Sequence, residues 1–93
     1  DHPIYPDCTP GFTGAMSRAA EEGTFTRVRI EAPFSSLDKK GIARIGRELG
    51  FDFAMSYSCY RGGEIHCGRC ATCLERKAAL DHDLGLDPTE YER

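Results

Sequence analysis

Four of the chain's five cysteines fall between Cys59 and Cys73 with the spacing C-x7-C-x2-C-x2-C, while Cys8 stands alone far upstream. A secreted disulfide scaffold spreads an even number of cysteines to staple distant segments. An odd count gathered at two-residue gaps instead points to thiols kept reduced, as in a cytoplasm, and collected on a metal. Cys59, Cys67, Cys70 and Cys73 together offer four soft donors for a tetrahedral divalent ion, about 2.3 Å from each sulfur if that ion is zinc. The two-residue gaps let a tight turn aim two sulfurs at one point, and Gly68 permits the positive φ such a knuckle often requires. The loop Tyr60 to His66, with Gly62-Gly63, is long enough to bring Cys59 back. Four thiolates around Zn²⁺ sum to about -2, a charge that helix N-terminal amides near Cys73, with Arg69 and Arg76, would soften.

Three other readings of the same residues stand beside zinc: free buried cysteines, an iron–sulfur cluster, and a zinc site in which His66 replaces one sulfur. The bacterial ferredoxin run places its fourth cysteine three residues after the C-x2-C-x2-C core, whereas here it precedes that core by seven. A closed four-sulfur zinc site leaves no position for water, so its role is structural and no catalytic residue is expected within it.

Such a metal would have work to do. At 93 residues the chain is expected to form a single small domain, and its 40% hydrophobic and 29% charged residues make for a thin core. Lys plus Arg total 12 against 15 Asp plus Glu, a net charge of -3 with the positive charges scattered, so a nucleic-acid partner is not expected. Nor is a membrane: no apolar run approaches the roughly 20 residues of a spanning helix.

Local patterns predict a small, helix-rich α/β unit. Prolines at 3, 6 and 10 fix an opening loop, and Thr9-Pro10 caps a helix from Pro10 to Glu22 with Gly23 as its stop. Arg27 to Glu31 alternates as a strand. Ser35 to Asp38 caps a second helix, Lys39 to Gly50, with Leu37, Ile42, Ile45 and Leu49 at helical spacing. Phe51 to Tyr57 reads as a short strand or extended run, Thr72 to Leu84 as a third helix closed by Gly85, and Thr89 to Arg93 as a frayed tail.

The run Ser58-Cys59-Tyr60-Arg61-Gly62-Gly63-Glu64-Ile65-His66-Cys67-Gly68-Arg69-Cys70-Ala71-Thr72-Cys73, continued by Arg76, resembles the zinc-binding signature of the 7-cyano-7-deazaguanine synthases of queuosine biosynthesis. Tyr5-Pro6-Asp7-Cys8 is similar to a second family motif, and the likeness covers nearly the whole chain. It implies a cytosolic ATP-dependent enzyme with an adenine-nucleotide α-hydrolase-like α/β fold and structural zinc, converting 7-carboxy-7-deazaguanine and ammonia into the nitrile. The family's pyrophosphate-binding loop, of the form Ser-Gly-Gly-x-Asp-Ser, has no counterpart here; Arg61-Gly62-Gly63-Glu64 is not one. The resemblance therefore implies residues 1–93 as a C-terminal zinc-binding segment, with ATP and Mg²⁺ belonging to the complete enzyme. Its partners would be an N-terminal nucleotide-binding half and the 7-deazaguanine substrate, with self-association left open. An independent zinc knuckle that binds protein or nucleic acid is the alternative.

Thr9 stands where the family usually has arginine, and Tyr57 where tryptophan is common. Tyr5 and Asp7, on the proline-fixed loop, could offer an aromatic face and a carboxylate to the deazaguanine; an Asx turn with a buried aromatic accounts for them equally. Cys8 reads as a small core residue, His2 and His82 as surface residues, and Lys39, Lys40, Arg44 and Arg47 as a solvated helix face.

Overall fold

The structure, a computed structural model, describes residues 5–93; the expectation for His2 lies outside them. The chain divides into two compact units, Asp1–Asp38 and Lys39–Arg93.

In the first unit a 3-10 turn, Pro6–Cys8, leads into α1, Pro10–Gly23. Thr9 caps α1 as its sequence implies, its hydroxyl oxygen accepting from the Phe12 N–H at 3.1 Å, with Pro10 in the first turn where no N–H is needed. No residue of α1 is buried, and Phe12, Met16 and Phe25 all expose large apolar surface.

The strand expected at Arg27–Glu31 does not form. Arg27 adopts φ +52°, and the next N–H groups are taken by side chains of or beside α1: Val28 donates to Thr24 Oγ1 at 2.9 Å and Ile30 to Ser17 Oγ at 3.0 Å. Period-two alternation gives a segment two faces but supplies no neighbour, and a strand without a ladder has nowhere to place its backbone hydrogen bonds. Among the described residues the only β pairing is a single parallel bridge between His66 and Tyr91. The helix-rich part of the expectation is met and the sheet part is not.

The second unit begins with α2, Lys39–Glu48. Gly50 at φ +78° ends it in a Schellman motif, in which the Phe51 N–H donates to the Gly46 carbonyl (2.9 Å) and the Gly50 N–H to Arg47 (3.0 Å). Phe51 to Tyr57 is not a regular extended run, because Asp52 caps a 3-10 turn, Phe53–Met55, through a 3.0 Å bond from the Ala54 N–H. That turn lays Phe53 edge-on to Phe51, with ring centroids 4.9 Å apart, and over Gly46.

The Phe53 ring explains a glycine inside a helix. A Cβ on Gly46 would sit 2.6 Å from Phe53 Cζ, whereas one on Gly14 of α1 would meet only the flexible Arg18 tip at 3.9 Å. Overpacking costs about 1–3 kcal/mol, more than the roughly 1 kcal/mol that alanine gains over glycine in a helix. Gly46→Ala is therefore expected to lower the melting temperature and Gly14→Ala not to, as a thermal melt of the two variants will check.

The third helix, α3, runs Ala71–Ala79 and stops short of the expected Leu84. Asp81 takes a left-handed conformation at φ +55°, breaking the helix before a 3-10 turn, His82–Leu84. Its carboxylate binds two α2 side chains, Lys40 at 3.0 Å and Arg47 at 3.3 Å, which hold its pKa below the ordinary value; Arg47 also donates to the Leu80 carbonyl at 2.8 Å. Lys39 pairs with Glu75 of α3. Of the basic residues of α2 expected to be solvated, Lys39, Lys40 and Arg44 are exposed and Arg47 is half-buried; Lys39, Lys40 and Arg47 also tie that helix to α3 and the residue that ends it.

Thr89–Arg93 is likewise no frayed tail. The His66 N–H donates to Glu90 O (3.3 Å) and the Glu92 N–H to His66 O (2.8 Å). Among the described residues no helix is long and apolar enough to cross a membrane.

Candidate metal centre

The buried apolar residues of the second unit are few: Ala43 and Leu80, and three cysteines, Cys59, Cys67 and Cys73. Partly buried Cys70 and Tyr91 pack against those three sulfurs. The centre of this unit is sulfur where a larger domain would place leucine and phenylalanine.

Each sulfur is positioned by a local device. Cys67-Gly68-Arg69-Cys70 forms the knuckle, with Gly68 at φ +75°; the N–H groups of Arg69 and Cys70 then point at Cys67 Sγ, at 3.3 and 3.2 Å. Cys70 is the N-cap of α3, and its Sγ lies 3.3 Å from the Thr72 hydroxyl. Cys73, in the first turn of α3, is fully buried. Cys59 returns across the glycine loop, where its Sγ accepts from the Cys67 N–H at 3.4 Å.

All four sulfurs lie within 4.8 Å of one another, and Cys59 Sγ is 4.0 Å from Cys70 Sγ. Tetrahedral Zn–S bonds of about 2.3 Å give S···S edges of about 3.8 Å, so the donor set fits one ion at its centre. The four sulfurs sit in unequal surroundings. The Thr72 hydroxyl leads in pulling Cys70 down to about 5, the Cys67 N–H leads in lowering Cys59, and burial pushes Cys73 up to about 12. A coordinated cation would remove that inequality, because a metal-bound thiol is deprotonated outright.

His66 does not take a sulfur's place. Its buried ring accepts the Ser58 N–H at Nε2, 3.0 Å away, and burial and then the charge of Arg76 lower its pKa, keeping the neutral form that can accept. Arg76 was expected to soften the sulfur charge; its guanidinium turns elsewhere. Nε donates to Thr89 Oγ1 (2.8 Å), one Nη to Ser58 Oγ (3.0 Å) and the other to the Phe53 carbonyl (2.7 Å). Arg69 reaches Glu92 at 3.7 Å. The contacts that soften the sulfurs come from N–H groups of the knuckle, from those of Tyr60 and Arg61 in the glycine loop, and from the Thr72 hydroxyl.

Tyr5 and Asp7 are both exposed in the first unit, Asp7 within the 3-10 turn, so the buried-aromatic account of Tyr5 fails. Cys8 beside them is also exposed, correcting its expected place in a core. Sequence reasoning missed Tyr91 and Thr89. The aromatic ring in an otherwise polar end was the available sign, since a tyrosine buries apolar area while keeping one polar handle.

Four cysteine sulfurs this close together define a class, a cysteine-clustered unit whose donors could hold one metal ion. The sequence model of the queuosine biosynthesis protein QueC matches residues 1–84, and the chain belongs to that family. It is 56% identical over 93 residues to a 7-cyano-7-deazaguanine synthase of Porphyromonas gingivalis, covering 99% of this chain and 42% of that protein. Proteins of the same name from Desulfotalea psychrophila and Caldicellulosiruptor saccharolyticus are 53% and 48% identical, with 98% and 99% of this chain covered, and 42% and 41% of theirs. The chain thus spans about two fifths of the length of these curated relatives. No solved structure matches it.

Proposed function

We propose that this chain is the C-terminal, zinc-binding portion of a 7-cyano-7-deazaguanine synthase, acting in the cytoplasm as part of the complete enzyme. The observation that carries the reading is the near-complete coverage of this chain, at about half identity, by much longer proteins of that name. In the complete enzyme an N-terminal nucleotide-binding portion with an adenine-nucleotide α-hydrolase-like α/β fold would supply the phosphate-binding loop. ATP bound there with Mg²⁺ turns poor leaving groups into good ones, so that a carboxylate becomes first an amide and then a nitrile.

Within this chain, Tyr5 and Asp7 are the proposed substrate contacts. The exposed aromatic face can stack on a 7-deazaguanine, and the carboxylate can accept from its ring N–H and amino group. Cys59, Cys67, Cys70 and Cys73 are the proposed zinc ligands. Sulfurs this close surround a single ion more readily than a multi-iron cluster, and four protein donors leave none of the open coordination a catalytic zinc needs. The zinc is structural.

Supplied with 7-carboxy-7-deazaguanine, ATP and ammonia, the chain alone is expected to yield neither nitrile nor AMP, and to yield nitrile once the nucleotide-binding portion of a longer relative is added. Product analysis by mass spectrometry reads both. AMP released by the chain alone would contradict the fragment reading, and RNA binding with a steep salt dependence would favour the independent knuckle.

A further inference from the structure

The segment Asp87–Arg93 supplies no sulfur and none of the N–H donors found bonded to sulfur, yet it lies across the cluster. The Tyr91 side chain packs against the buried cysteines. It rides directly on the knuckle: a Cβ placed on Gly68 would meet Tyr91 Cβ at 3.3 Å and Cδ1 at 3.4 Å. A side chain at Gly68 would therefore press on the tyrosine, which would have to give by a few tenths of an ångström.

The segment is also latched on both sides of that ring. The two main-chain bonds to His66 flank Tyr91 and join it to the residue immediately before Cys67. The Tyr91 hydroxyl donates to Asp87 Oδ2 at 2.6 Å, closing the segment into a loop, and Thr89 accepts from the buried Arg76. Lys77 stands 4.6 Å from the Tyr91 ring centroid while donating to the Gly68 carbonyl at 3.1 Å, clipping ring and knuckle together. The latch residues lie beyond the span matched by the family's sequence model.

Donors and cover are thus separate parts of the structure. The sulfurs and the observed N–H···S bonds belong to Cys59–Cys73, whereas the covering ring belongs to a strap held by a handful of hydrogen bonds, the kind of element that opens locally at a fraction of the global stability. We propose that Asp87–Arg93 is a latch that sets how fast a metal ion enters and leaves the four-sulfur site, more than how tightly the ion is held. The inference rests on the metal reading of the four cysteines.

The two roles differ kinetically. A latch that opens more often speeds loading and loss together and leaves their ratio nearly unchanged; a strap that helps hold the ion speeds loss alone. The test compares the parent chain with Tyr91→Ala, and with Tyr91→Phe, which keeps the ring and loses only the bond to Asp87. Loading is followed with cobalt(II), whose absorption reports four-thiolate coordination, and loss by transfer of zinc to a chromogenic chelator.

Tyr91→Ala is expected to accelerate both steps by about tenfold or more with equilibrium affinity altered only a few-fold, and Tyr91→Phe to move both in the same direction by less. Equal rates in all three chains would overturn the latch. So would a Tyr91→Ala chain that loses metal faster without loading faster, or that never develops the four-thiolate spectrum, since the strap would then be part of what holds the ion. A parent chain that takes up neither metal would sink the metal reading itself.

Discussion

Cys73→Ala is expected to abolish cooperative unfolding of the second unit, while Cys8→Ala leaves it unchanged. Cys73 is fully buried at the centre of the only sulfur cluster among the described residues, and the buried residues clustered with it are cysteines. Structural zinc contributes roughly 10–16 kcal/mol of apparent binding in small peptides, against about 5–15 kcal/mol for the whole stability of an ordinary domain. On the proposed zinc reading, losing one of four ligands opens the site and takes away a large part of that energy. Cys8 is exposed, and substitutions at such positions stay within about 0.5 kcal/mol. Calorimetric scans of the two variants check the contrast; a Cys73→Ala chain melting like the parent would contradict the structural role.

The second large effect is expected at Arg76. Its guanidinium is nearly buried and donates to three acceptors from separate stretches of chain: Phe53 in the 3-10 turn, Ser58 beside Cys59, and Thr89 in the strap. Each bond involves a charged donor, and removing that donor strands its acceptors where water reaches them poorly. Arg76→Ala is expected to cost about 3 kcal/mol. For a domain of this size that corresponds to a fall of about 10–20 °C in melting temperature. Arg76→Lys should recover little, because one ammonium cannot reproduce a planar fork aimed in three directions. A thermal melt of Arg76→Ala within about 3 °C of the parent would show that the three segments are held by other means.

Helix ends were the legible part of the fold. Thr9-Pro10 and Gly50 act through a hydroxyl cap and a positive φ, both local devices that a short stretch of sequence contains in full. The cysteine cluster was legible for a related reason: the C-x2-C gap with Gly68 nearly dictates the knuckle, so the four cysteines named from spacing are the four that meet. What failed needed a partner that spacing does not name. Arg27–Glu31 had the alternation of a strand and no neighbouring strand, and its N–H groups found side-chain oxygens instead.

The third helix was overextended for the same kind of reason. His82 fits a helical pattern, but the carboxylate of Asp81 is captured by Lys40 and Arg47, and the chain turns left-handed to deliver it. Arg76 was read by proximity in sequence as a counter-charge to sulfur, although α3 carries its guanidinium to acceptors 13 to 23 residues away along the chain. Tyr91 was lost among polar neighbours because its worth depends on a bridge to His66, which local pattern cannot foresee.

The most direct test of the zinc account is a chelator titration of protein purified without added metal, reading released metal and far-ultraviolet circular dichroism in the same sample. The account predicts one zinc per chain, no iron or acid-labile sulfide, and helical signal lost in step with zinc release. A chain that keeps its ellipticity and its melting transition after the ion has gone, or that releases iron instead, would contradict it.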